Sequence, residues 1–333
     1  MTGVSTVDVT DDEDDLRLDR WFKRHYPDLS HVHLQKLLRK GQVRLDGKRA
    51  KASTRIEAGQ AIRVPPLGKA PEGKRPVKSK ADISDADARM IRESVLHMDD
   101  NLIVINKPPG LAVQGGTGIT RSVDGMLDAL RFEAPERPRL VHRLDKDTSG
   151  VLVLARGASQ AAKLTSVFRS KTARKVYWTI VVGVPEPKDG KIDLALAKMP
   201  GAKGERVVPE PDGGKRAVTY YRTVEKASRK AAWLVMEPET GRTHQLRVHA
   251  LALETPIMGD GKYGGAEAFL KGPGLSRKLH LHARAIRIPD PSGGVLEIIA
   301  PLPEHMMATW EFLGFDEDAE LDPFAGSDQI NLS

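Results

Sequence analysis

Apolar positions along the chain fall into two kinds of pattern. Between residues 16 and 64 they recur at helical spacing. Leu18 and Phe22 share one helical face, and Leu34, Leu37 and Leu38 form the stripe of a second helix, with Ser30 placed to cap its start and Gly41 to stop it. Val43-Arg44-Leu45 then leads into Asp46-Gly47, a pair suited to the two-residue turn of a hairpin. From residue 102 onward the pattern changes to short apolar runs, many of them β-branched, at 102–105, 151–154, 177–182, 233–236 and 295–299. Runs of that length read as strands. Helical periodicity returns at 121–132, 158–170 and 243–253. Strands and helices do not alternate strictly, which predicts an α+β fold rather than a doubly wound parallel sheet. Residues 186–217, rich in Gly, Pro and Lys, predict loops and weak hairpin strands.

The apolar periodicity lapses between Pro65 and Ala81, where Pro, Gly and Lys dominate, so a flexible basic linker is expected over 66–84. It separates a small unit, 16–65, from a large one, 85–315. Both ends of the chain are acidic. Asp11-Asp12-Glu13-Asp14-Asp15 lies within 1–15, and Asp316, Glu317, Asp318, Glu320 and Asp322 lie within 316–333; both segments are expected to be disordered, solvated tails. Those ten acids mask a body more basic than the net charge of +7 suggests. The basicity is concentrated in residues 16–64, which hold thirteen Lys or Arg against four acids. Lys36, Arg39, Lys40, Arg44, Lys48, Arg49 and Lys51 crowd the second helix and the hairpin. A basic helix alone is usually a solvated face, but a basic hairpin directly behind it favours a polyanionic partner. The chain has no cysteine, which excludes disulfides, thiolate metal sites and a cysteine nucleophile, and fits a cytoplasmic location. No apolar run approaches a membrane span and no basic-then-apolar leader precedes residue 16, so neither secretion nor a membrane partner is expected.

One polar segment interrupts the strand pattern of the large unit. His142-Arg143-Leu144-Asp145-Lys146-Asp147-Thr148-Ser149-Gly150 packs two carboxylates, two cations, a His and two hydroxyls between Leu140-Val141 and Val151–Ala155. A solvated turn is the bland reading. Charges held against a core cost free energy unless paired, however, so a site built around Asp145 or Asp147 is the sharper one. Other chemistries find less support. Gly115-Gly116-Thr117-Gly118 is not followed by the Lys-Ser/Thr of a phosphate-cradling loop, His244, His249, His280 and His282 lack a zinc-enzyme spacing, and Ser149 lacks a nucleophile elbow. No metal and no cofactor are therefore expected.

The string His-Arg-Leu-Asp-x-x-Thr-Ser-Gly resembles the signature of the RluA/RluC/RluD family of RNA pseudouridine synthases. Asn106–Gly110, Lys175-Val176-Tyr177, Thr240–His249 and Leu279–Ala283 resemble further motifs of that family, in its order. Ala112–Gly118 is closer to the RluC branch than to the RluD branch, with Gln114 where that branch commonly has His. Residues 16–65 resemble an S4-type (αL) RNA-binding domain. The resemblance implies a mixed, mainly antiparallel sheet with the cleft across its middle and segment 186–217 along the rim. It makes Asp145 the catalytic carboxylate, with Asp147 a structural residue of the turn. Arg247 becomes the cation that keeps the carboxylate charged, and Tyr177 a catalytic residue whose ring stacks on uracil and whose hydroxyl helps move the C5 proton. Leu281 would pack beneath the base, and Arg143 would enter the space vacated by a flipped nucleotide, while His142 braces the turn. The implied partner is large-subunit (23S) ribosomal RNA, not DNA, and a monomer is the simplest arrangement. The same reaction on other ribosomal or transfer RNA uridines, a non-catalytic assembly factor, and a hydrolase remain as alternatives.

Overall fold

The computed structural model describes residues 3–67, 83–116, 118–200, 205–290 and 293–320. Two compact units divide at residues 81 and 82. Most of the expected linker, 68–82, and the C-terminal 321–333 lie outside the described residues.

The small unit runs β1 (Ser5–Asp8), α1 (Leu18–His25), α2 (His31–Arg39), β2 (Arg44–Leu45), β3 (Lys48–Arg49) and β4 (Ala61–Val64), with sheet order β1-β4-β2-β3. Ser30 caps α2 by accepting the His33 amide, as its place before the apolar stripe predicts. Asp46 and Gly47 both adopt positive φ, +48° and +72°, which gives the hairpin the twist its strands need. Leu18, Trp21 and Phe22 of α1 bury against Leu34, Leu37 and Leu38 of α2 and Ile62 of β4.

The acidic N-terminus departs from the expectation of a disordered tail. Residues 5–8 pair with β4 as an edge strand. Glu13 is buried and accepts hydrogen bonds from the Trp21 indole at 2.9 Å and from His25, while Asp15 pairs with Arg55. An acid run reads as a solvated tail only when its partners are unseen, and here the partners stand on α1 and the loop before β4.

The large unit begins with α3 (Asp85–Glu93), capped by Ser84, then β5 (Val95–Met98) and β6 (Leu102–Lys107). The helical pattern at 121–132 forms α4 (Val123–Met126) and a 3₁₀ turn to Leu130. There follow β7 (Arg139–Leu140), β8 (Ser149–Ala155), α5 (Ala158–Arg169), β9 (Arg174–Val182), β10 (Asp189–Met199), β11 (Arg206–Pro209), β12 (Lys215–Ala227), β13 (Ala231–Pro238), α6 (Gln245–Ala252), β14 (Leu281–Pro289), β15 (Val295–Ile299) and α7 (Glu304–Leu313). The sheet order is β11-β10-β12-β13-β9-β14-β8-β6-β5, with β15 on β14 and β7 on β8.

Both faces of β6 and β8 are covered. Ile103, Ile105, Leu152 and Leu154 face one core, and Leu102, Val104, Val151 and Val153 the other, which is why these strands read as unbroken apolar runs. Segment 186–217 is more regular than expected, because β10 and β12 form a long antiparallel ladder from Asp189↔Arg222 to Leu196↔Lys215. The expected C-terminal tail also starts inside the fold. Just before it, Phe315 enters the tryptophan-rich core, and within it Glu317 and Glu320 pair with Arg284 and Arg222.

Among the described residues, every ladder in the large sheet is antiparallel except one. β14 lies parallel to β8 over only His282↔Ser149 and Ala283↔Gly150. The charged segment 142–148 therefore emerges at the joint between the two halves of the sheet.

Candidate active site

The charged turn is anchored by alternate residues. His142 continues where the β7 ladder stops: its Nε2 accepts the Val153 amide at 2.8 Å, and its ring stacks on Phe168 with centroids 4.1 Å apart. Burial pushes this imidazole down to about 3, with Lys175 adding to the effect, so it braces the turn as a neutral acceptor. Leu144 is buried in the core, while Arg143 is exposed between them. The Thr148 amide closes the turn on the Asp145 carbonyl at 3.2 Å. At its end, Gly150 has φ +107°, and a Cβ there would stand 2.2 Å from the Ala283 carbonyl oxygen. Beside it, the Ser149 hydroxyl and His282 Nδ1 meet at 2.9 Å across the parallel joint.

Lys107, at the end of β6, secures the turn from below. It is fully buried, and its ammonium donates to the carbonyls of Pro108, Leu111 and Lys146 at 2.9, 2.9 and 3.0 Å. Burial pulls it down to about 7, while Asp147 and Asp145 pull it back up. No motif marks a role for this residue in the sequence; a lysine closing a strand buried on both faces is the signal that points to it.

The opposite wall comes from β9, β14 and the head of α6. Tyr177 is half-buried, and burial, reinforced by Asp145, raises its phenol well above the ordinary range, so it stays protonated. Gln245 organises the loop before α6. Its Oε1 accepts from the Thr240 hydroxyl and the Arg242 amide, and its Nε2 donates to the Val218 carbonyl and the Thr219 hydroxyl. A buried amide with all four positions filled is a rigid peg. The result is one cleft lined by Arg143, Asp145, Tyr177, Arg247 and Leu281.

Arg247 is buried and does not sit on the surface of an amphipathic helix. Its expected partner needs correction, however. The fork grips Asp260, not Asp145, at 2.7 and 2.6 Å. Asp260 is 1% exposed and also accepts the Lys262 and Tyr263 amides, and a carboxylate so deeply buried claims the nearest cation. Arg247 therefore meets Asp145 only as a nearby charge. Among the described residues, the basic side chain within 4 Å of the Asp145 carboxylate is His244, whose Nε2 lies 3.9 Å from Asp145 Oδ2. Neither Asp260 nor Tyr263 was marked by the sequence, since a single Asp and Tyr among glycines match no general chemical pattern.

Asp147 is exposed and faces a neighbouring cleft with Lys262, Arg277 and Lys278. His280 and His282 are committed to Thr309 and Ser149, respectively. On the small unit, Lys36, Arg39, Lys40, Lys48, Arg49 and Lys51 are exposed along α2 and the hairpin. Arg44 is half-buried instead, its guanidinium donating to the Gly41 and Gly47 carbonyls. It holds helix and hairpin together.

The family model described as RNA pseudouridylate synthase matches residues 101–252, and the S4 domain model matches residues 16–62. Ribosomal large subunit pseudouridine synthase C of Rickettsia conorii is 36% identical over 81% of this chain and 88% of its own length. The mitochondrial RNA pseudouridine synthase 4 of Arabidopsis thaliana is 34% identical over 93% and 82%. This chain belongs to the RNA pseudouridine synthase family. The solved structure of human RNA pseudouridylate synthase domain containing 4 has the same architecture, with a TM-score of 0.58 and 30% identity over 69% of this chain and 96% of that one. The S4 domain gives this family member an RNA-binding unit, and among the described residues no helix is long and apolar enough to cross a membrane.

Proposed function

We propose that this chain isomerises specific uridines of 23S ribosomal RNA to pseudouridine, with Asp145 as the reacting carboxylate. The observation that carries the reading is the meeting of Asp145, Tyr177 and Leu281 in one cleft of an RNA pseudouridine synthase similar to large-subunit synthases named C. The reaction breaks the C1′–N1 bond, turns the uracil in place and joins C1′ to C5, with C5 losing its proton and N1 gaining one. It needs one ionised carboxylate at the sugar, as a nucleophile or as a base for a sugar proton. No electron carrier enters that balance.

The target base must first leave its stack, at a cost of a few kcal/mol. Arg143, exposed two positions before Asp145, enters the vacated space and contacts phosphate in this reading. Tyr177 offers a face for the flipped uracil, and its phenol, held protonated by burial and by Asp145, can donate to the base. Leu281 supports the ring from below. Arg247, paired at close range with Asp260, leaves the Asp145 carboxylate uncapped. The adjoining cleft with Lys262, Arg277 and Lys278 suits the phosphates that flank the target.

The test is to map pseudouridines in ribosomal and transfer RNA from a strain lacking this protein. Loss at discrete large-subunit uridines, restored by the wild-type chain and not by Asp145→Asn, is the expected outcome. Loss confined to transfer RNA would reassign the substrate, and unchanged RNA would overturn the reading.

A further inference from the structure

With Arg247 committed to Asp260, the carboxylate of Asp145 needs another group to fix its orientation. We propose that His244 is that positioning residue, with Tyr263 locking its tautomer so that the Nε2–H points at Asp145; the inference rests on the role given to Asp145 above.

The tautomer follows from counting donors. The Tyr263 hydroxyl is buried, and its oxygen accepts the Val207 amide at 3.1 Å. Its own hydrogen still needs an acceptor, and His244 Nδ1 lies 2.7 Å away. Were Nδ1 protonated, the phenol oxygen would face two donors and its hydrogen would have no partner in a buried place, an arrangement that folded proteins avoid. Nδ1 is therefore the acceptor, and the neutral ring carries its proton on Nε2.

Tyr263 is itself held from several sides. Its amide donates to Asp260, its carbonyl accepts from Arg206, and the guanidiniums of Arg247 and Arg206 lie 5.0 and 5.2 Å from its ring centroid. His244 sits at φ +53°, a left-handed backbone that non-glycine residues rarely adopt. That conformation at the head of α6 aims the ring between Tyr263 and Asp145, with Gln245 fixed directly behind it. The separation of 3.9 Å from Asp145 Oδ2 exceeds a hydrogen bond, as such contacts often do before substrate enters. A neutral N–H donor orients a carboxylate and leaves it reactive, whereas a bidentate arginine would draw off more of its basicity.

Two measurements on the full-length protein test this. In protein labelled with nitrogen-15 at histidine, the signals missing from His244→Gln identify the ring. Wild-type protein should show Nε2 protonated and Nδ1 bare, and Tyr263→Phe should mix the tautomers. In single turnovers at saturating enzyme, His244→Leu should react about ten- to a hundredfold more slowly with unchanged RNA affinity. His244→Gln, whose amide N–H can take the place of Nε2–H, should recover most of the rate. A proton on Nδ1 in the wild-type protein, or a wild-type rate for His244→Leu, would overturn the proposal. Turnover by Asp145→Asn would instead overturn the role of Asp145, so the two failures are distinguishable.

Discussion

At the scale of single residues, the structure separates what a side chain is from what it is paired with. Asp145, Tyr177 and Arg247 could be picked out because each stands in a recognisable string, and all three line one cleft. The pairing of Arg247 with Asp260 could not be read, because the loop that carries Asp260 follows α6 and only the fold shows which carboxylate is buried beside the fork. The same limit hid Lys107 and Tyr263, whose roles arise from burial and from backbone groups distant in sequence. The Arg247–Asp260 pair carries a prediction. Asp260→Asn leaves a buried guanidinium without its counter-charge and should destabilise the large unit by about 3–5 kcal/mol. Chemical denaturation checks this, together with the pair Arg247→Met and Asp260→Leu, which should recover much of the loss. A change below about 1 kcal/mol for Asp260→Asn would show that the pair is not structural.

At the scale of elements, legibility followed burial. The strands β6 and β8, covered on both faces, are visible as apolar runs, and α2 is visible because its cap and stripe coincide. The long strands β10 and β12 are not, since many of their residues are partly exposed and polar, with glycines and prolines around them. Helix α7 blurs its own stripe, burying Met306 and Trp310 while leaving Met307 and Phe312 exposed. The decisive meeting of elements is the two-residue parallel joint between β8 and β14. Gly150→Ala drives a methyl group into the Ala283 backbone at a φ of +107° and should destabilise by more than about 4 kcal/mol or abolish soluble expression. Gly115→Ala, with nothing nearer than the Ser122 hydroxyl at 4.0 Å, should stay within about 0.5 kcal/mol of wild type. Equal thermal stability of the two variants would remove the joint from the account.

At the scale of the whole molecule, α+β class and the division into a small basic unit and a large one could be read from the sequence. The folded N-terminal strand could not, because pairing with β4 is a long-range event that local acidity conceals. The small unit predicts a salt effect. Replacing Lys36, Arg39, Lys40 and Lys48 with Gln should reduce the slope of log affinity against log salt by about 0.7–0.9 for every phosphate no longer neutralised, with the saturated single-turnover rate unchanged. An unchanged slope with a collapsed rate would place these residues in the chemistry. Acid should also weaken the large unit. Burial depresses His142 and His282 to about 3, and His249 and His280 to about 4. The unfolded chain binds these protons near pH 6.5 and the folded chain does not, so stability is complete above that pH and falls as pH drops toward 4. Each histidine can contribute up to about 3 kcal/mol of loss by about pH 4.5. Denaturation at about pH 7 and about pH 5 checks the sign, and a flat profile would contradict it. In the reading proposed above, the ionised carboxylate of Asp145 carries out the isomerisation. Its most direct test compares Asp145→Asn and Asp147→Asn in single turnovers on large-subunit ribosomal RNA, with RNA affinity measured alongside. Both variants should bind RNA as tightly as wild type, with Asp147→Asn still making pseudouridine and Asp145→Asn making none; appreciable turnover by Asp145→Asn would remove Asp145 from the chemistry.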